Sequence, residues 1–102
     1  MPVYVIASVR SAQCTDEAAA ALAEYRRRNT GQVAAHGGRF LVRGGGVERL
    51  EGDWDPLRVV VVEFPDRAAA RAWYDSPDYA PLRALRREVS DTDIVLVEGL
   101  GG

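Results

Sequence analysis

The sequence predicts an α+β domain of β-α-β-β-α-β order, with an antiparallel four-stranded sheet and its helices on one face. Three observations carry that prediction. Short runs rich in Val and Ile alternate with longer stretches of helical period. Glycines and prolines punctuate the boundaries between them. The length, 102 residues, suits one domain, so 1–102 is read as a single unit.

The elements follow in order. Val3–Val9 is a Val/Ile-rich strand. Ser11–Thr15 is a loop, and Thr15 or Asp16 caps a helix whose positive end is met by Asp16 and Glu17. The helix runs through Ala18–Ala21, Leu22 and Tyr25 to about Ala35, where Gly37-Gly38 stops it. Arg39–Arg43 is a short strand, Gly44-Gly45-Gly46 a turn, and Val47–Glu51 a returning hairpin arm. Gly52–Pro56 is a loop. Leu57–Phe64 is the strongest strand, closed by Pro65-Asp66, which caps a helix over Arg67–Asp75. Ser76-Pro77 starts a third helix through Leu82 and Leu85 to Val89, with Pro81 disturbing its first turn. Ile94–Glu98 is the last strand, and Leu100-Gly101-Gly102 is a tail. This order is that of the ferredoxin-like arrangement.

The strands predict a homodimer. A sheet with one wet face should alternate apolar and polar residues. Here Val3, Val5, Ala7 and Val9 lie on one face, while Tyr4, Ile6 and Ser8 lie on the other. Val59–Val62 and Ile94–Val97 are apolar on both. Helices cover one face only. A second copy packed sheet to sheet would shelter the other, each buried aliphatic chain contributing about 1.5–3 kcal/mol. The alternative cover is the hairpin or the tail.

Composition narrows the chemistry. The net charge of −2 gives no general pull toward nucleic acid, and no apolar run is long enough for a membrane span. All thirteen basic residues are arginines. Without lysine there is neither a lysine Schiff base nor a P-loop lysine. The lone His36 excludes a multi-histidine metal site, and one cysteine excludes an internal disulfide. As a haem ligand His36 would need a second ligand that is not evident. No cofactor or metal is therefore expected. The single cysteine and the absence of a basic, apolar leader place the expected location in the cytoplasm.

The first helix carries the most informative pattern. At about 100° per residue, Ala18, Leu22, Tyr25, Asn29, Val33 and His36 form one stripe facing the sheet. Three polar side chains in a stripe that should be apolar must bond one another, bond the sheet, or line a cavity. His36 is the one side chain whose ordinary pKa suits proton transfer near neutrality, which makes it a candidate base, with Tyr25 and Asn29 holding an oxyanion. Each also has a plain packing role: a core tyrosine, a helix irregularity, a C-terminal cap.

Glu51, Asp53 and Asp55 surround Trp54 in a loop, where a carboxyl of raised pKa could act as an acid. Arg39 and Arg43, an even number apart, share a strand face, and Arg58 lies nearby. Arg39 is the candidate holder of a substrate carboxylate, against edge protection as the plainer role. Trp73 and Tyr79 suit the walls of a pocket for a flat ligand, and equally suit the core. Cys14, beside a helix start, lacks any partner in the spacing.

The segment His36-Gly37-Gly38-Arg39-Phe40-Leu41-Val42-Arg43-Gly44-Gly45 resembles the signature of the domain of unknown function 1330 family. So do Leu50–Trp54, Val62–Asp66, Ala70–Tyr79 and Leu82–Arg86. The resemblance runs from about Tyr4 to Gly99. It implies a dimeric α/β-barrel built from ferredoxin-like subunits, and its signature includes Tyr25, His36, Arg39, Glu51, Trp54, Trp73 and Tyr79. It implies little about activity. The wider superfamily holds cofactor-free monooxygenases, cyclases, isomerases and haem enzymes, which is analogy at the level of fold. Two functions are expected from the residues: a cofactor-independent enzyme moving a proton on a small apolar or aromatic molecule, or a non-catalytic small-molecule-binding or stress-associated dimer.

Overall fold

A computed structural model of the protein describes residues 1–100. The Gly101-Gly102 end of the tail lies outside the described residues. The elements are β1 (Val3–Ala12), α1 (Asp16–Ala35), β2 (Arg39–Arg43), β3 (Arg58–Phe64), α2 (Arg67–Tyr74), α3 (Ala80–Val89) and β4 (Ser90–Glu98). They form one antiparallel sheet of order β2-β3-β1-β4. Among the described residues no helix is long and apolar enough to cross a membrane.

Local chemistry sets the helix ends. Thr15 Oγ1 accepts the Ala18 N–H at 3.0 Å, and Asp66 Oδ1 accepts the Ala69 N–H at 2.8 Å. Gly37 ends α1 at φ +78°, a conformation that favours glycine. Gly38 then passes so close to the core that a Cβ would stand 2.7 Å from the Phe64 ring and 2.8 Å from Val33.

The core lies between the sheet and the helices. Val3, Val5, Val62 and Phe64 from the sheet meet Val33, Ala70, Trp73, Tyr79 and Leu82. The other face is only partly covered. Cross-strand register sets Val42, Val61, Ile6 and Val95 in one row across all four strands. Val42 is 44% exposed and Val95 53%.

Four details depart from the sequence reading. β1 and β4 extend to Ala12 and back to Ser90 through a bulge between Val9 and Ser11. There Arg10 pairs with Asp91 and Asp93, so charge prolongs the β1–β4 pairing beyond its apolar run. Val47–Glu51 is not a hairpin arm: it is an exposed connection without strand pairing. Trp54 at its far end donates Nε1–H to Ser8 Oγ at 3.0 Å, which lays part of this loop on the outer sheet face. Finally, Ser76-Pro77 forms a turn before α3, with Ser76 Oγ accepting the Tyr79 N–H at 3.1 Å, and the helix begins at Ala80 with Pro81 in its first turn.

Candidate functional site

A cavity of about 170 Å³ separates α1 from the sheet. Its floor follows from strand register. Phe40, Val62 and Val5 form one row, Arg43, Val60, Ala7 and Ile94 the next, and Arg58, Val9 and Thr92 the third. Its roof is Leu22, Tyr25, Arg26 and Asn29 of α1. Trp73 and Arg86 stand at its walls. Small or slender floor residues, Ala7 above all, leave the space that helix side chains do not fill.

The polar stripe of α1 is present, and most of it is satisfied from across the core. Asn29 is buried, and its Oδ1 accepts Trp73 Nε1–H at 2.9 Å. Tyr25 and Tyr79 share a hydroxyl–hydroxyl hydrogen bond of 2.6 Å, with their rings edge to face. Burial first, and Tyr79 next, push the Tyr25 phenol well above its ordinary pKa, against a smaller opposing pull from Arg86. A phenol whose pKa is raised by folding contributes stability that is complete below its unfolded value and is lost as pH rises past it. Above about pH 10 the wild type should therefore lose stability faster than Tyr25→Phe, by up to about 1.4 kcal/mol per pH unit. Urea midpoints measured across that range check this, and parallel slopes would contradict it.

His36 lies apart from the cavity lining. The helix ends at Ala35 as the sequence predicts, and only the stripe, extended one residue past that end, took in His36. His36 is the C-cap, at φ −103° and ψ 16°, so the 100° period no longer applies to it. Its Nδ1 lies 2.9 Å from the Gln32 carbonyl oxygen. That oxygen only accepts, so Nδ1 carries the proton.

Arg39 and Arg43 do not share a face. A bulge between Phe40 and Val42 pairs Arg39 with Glu63 on the outer face and Arg43 with Val60 on the inner one. Arg39 is exposed, and its Nε donates to Glu63 Oε1 at 2.8 Å. Arg43 lies 3.9 Å from the Phe40 ring centroid and donates to Arg26 O and Thr30 Oγ1. Glu51 and Trp54 are exposed and line no part of the cavity. Tyr79 is fully buried behind Tyr25, so it supports the wall without lining it. Of the residues singled out from sequence, Tyr25, Asn29 and Trp73 come together here.

The residues that sequence reasoning passed over are Arg26 and Arg86, with Arg43 and Arg58 undervalued. A signal for Arg86 was present: it sits in the buried stripe Leu82, Arg86, Val89 of α3. Among the described residues no group of three or more His, Cys, Asp or Glu is placed to hold a metal ion.

Comparison with known proteins agrees with this architecture. The chain is similar to a protein of unknown function from Rhodopseudomonas palustris, at 22% identity and a TM-score of 0.73, over 99% of this chain and 84% of that one. A dimeric ferredoxin-like protein of unknown function from Jannaschia sp. CCS1 matches at 14% identity and a TM-score of 0.76, over 97% and 100%. A protein from Nitrosomonas europaea, described as a candidate antibiotic biosynthesis monooxygenase, matches at 20% identity and a TM-score of 0.58, over 99% and 100%. No protein of curated function matches in sequence. These likenesses show a ferredoxin-like fold. Residues 2–100 match the family described as Domain of unknown function (DUF1330), and the chain belongs to that family.

Proposed function

We propose that the protein is a homodimer that binds a small, flat, largely apolar molecule in the cavity beneath α1 of each subunit. The observation that carries this reading is the cavity itself. It is about 170 Å³, floored by Val5, Ala7, Val60, Val62 and Ile94, and walled by Trp73. An apolar void of about 150 Å³ suffices for a benzene ring. Two supports favour the dimer. The outer sheet face carries an uncovered apolar row, and several structural neighbours are described as dimeric.

Proton-transfer catalysis is the second reading, favoured by Tyr25 and Asn29 sharing the cavity roof. Its base, His36, stands at the end of α1 with Nδ1 held by Gln32. Binding needs no such group.

The test uses a ring-sized neutral probe, benzamide, followed by calorimetry. The wild type should bind it. Ala7→Phe, which sets a ring on the cavity floor, should weaken binding at least about tenfold, the equivalent of about 1.4 kcal/mol, with the dimer intact. Unchanged affinity in Ala7→Phe would remove the cavity as the binding site. His36→Gln should leave affinity unaltered under either reading. Slowed turnover of a later-identified substrate in His36→Gln would reverse the order of the two.

A further inference from the structure

The charge inside the cavity opposes the charge of the chain. The protein carries a net −2, yet among the described residues Arg26, Arg43, Arg58 and Arg86 all line the cavity and no Asp or Glu does. Among the described residues none of these four forms an ion pair, whereas Arg10, Arg27, Arg39, Arg67 and Arg71 each do. Arg58 shows the crowding: burial first, and then Arg26 and Arg43, lower its pKa.

Arg86 is the decisive member. It is 7% exposed, lies on the cavity wall beside Tyr25, and its buried Nε finds no hydrogen-bond partner among the described residues. A buried guanidinium without a counter-charge is unfavourable, and a protein that needed only packing there would be better served by an aliphatic side chain. A guanidinium is permanently charged and presents a planar fork suited to a carboxylate. The surrounding floor is aliphatic, so a fully hydrated ion such as phosphate or a large polyanion finds no match for its body.

We infer that the cavity takes an organic monoanion: a flat apolar body on the Val60, Ala7 and Ile94 row, with its carboxylate paired to Arg86. Arg26, Arg43 and Arg58 supply the positive field that draws it in and disfavours a cation. This rests on the cavity reading given above and adds the chemical class of its ligand.

Three probes of one shape and different charge test it on the full chain by calorimetry: benzoate, benzamide and benzamidinium. Benzoate should bind about ten- to a hundredfold more tightly than benzamide, as a charge-assisted pair requires, and benzamidinium should not bind. Added salt should weaken benzoate and leave benzamide unchanged. In Arg86→Met the preference for benzoate should vanish while benzamide affinity is kept. Arg86→Gln serves the same purpose if the Met variant does not fold. Benzamide binding as tightly as benzoate would overturn the anion and leave the cavity standing. A benzoate preference that survives in the Arg86 variant would overturn Arg86 as the partner of the carboxylate. If none of the three probes binds, the cavity reading fails and this inference fails with it.

Discussion

Trp73→Ala is expected to destabilise the protein by about 4–8 kcal/mol, a large share of the roughly 5–15 kcal/mol that holds a native domain together. Trp73 is 3% exposed and packs against Phe64 and Tyr79, with ring centroids 5.6 Å and 4.4 Å away. Removing a buried Trp side chain costs about 3–5 kcal/mol through lost transfer energy and the void it leaves. A second cost adds to it. Trp73 Nε1–H is the partner of Asn29 Oδ1, and orphaning that buried oxygen costs about 1–3 kcal/mol more. Trp73→Phe separates the two contributions, since it keeps a ring and deletes the N–H. Its expected loss is smaller and falls mainly on Asn29. Urea unfolding of both variants measures this. A loss below about 2 kcal/mol for Trp73→Ala would mean that Trp73 does not hold the helical layer to the sheet.

Ile6→Asp is expected to dissociate the dimer while each subunit keeps its fold. Ile6 is the centre of the outer row: Val61 and Val95 are its cross-strand neighbours, and Val42 lies beyond Val61. In a two-fold interface one substitution acts twice. Losing two buried aliphatic chains costs about 3–6 kcal/mol, and two carboxylates brought together in an apolar layer add repulsion and desolvation. The dissociation constant should rise by more than about a hundredfold. Sedimentation velocity over a dilution series checks it. The inner face holds the core, so far-ultraviolet circular dichroism should change little. An undiminished dimer in Ile6→Asp would move the interface off this face.

Much of this architecture was legible in the sequence, because it rests on period and punctuation. Two-sided apolar strands, capped helices and glycine stops are local signals. The parts that were not legible depend on contacts distant in sequence. The Val47–Glu51 hairpin arm had turn chemistry but no partner to pair with. The bulge at Leu41 is set by register against β3, and it sends Arg39 outward and Arg43 into the cavity. An even spacing on paper is no guide once one residue is looped out. His36 aligned with the α1 stripe only while the helix was imagined to continue, and the cap ends that alignment. The stripe of α1 set Tyr25 and Asn29 on the sheet-facing side, where both line the cavity. Their partners, Tyr79 and Trp73, lie more than forty residues further along the chain. Arg86 was readable from its place between Leu82 and Val89, but a lone arginine in a short helix gains meaning only when the structure shows what it lacks.

The proposed function gives the two sheet faces different tasks: the outer one to meet a second copy, and the inner one to leave room for a ligand. Intermolecular nuclear Overhauser effects from benzoate ring protons to methyl groups test that division most directly. Contacts are expected to Leu22, Val60 and Ile94, which surround the inner cavity. Contacts to Val61 and Val95, or to no methyl group at all, would contradict it.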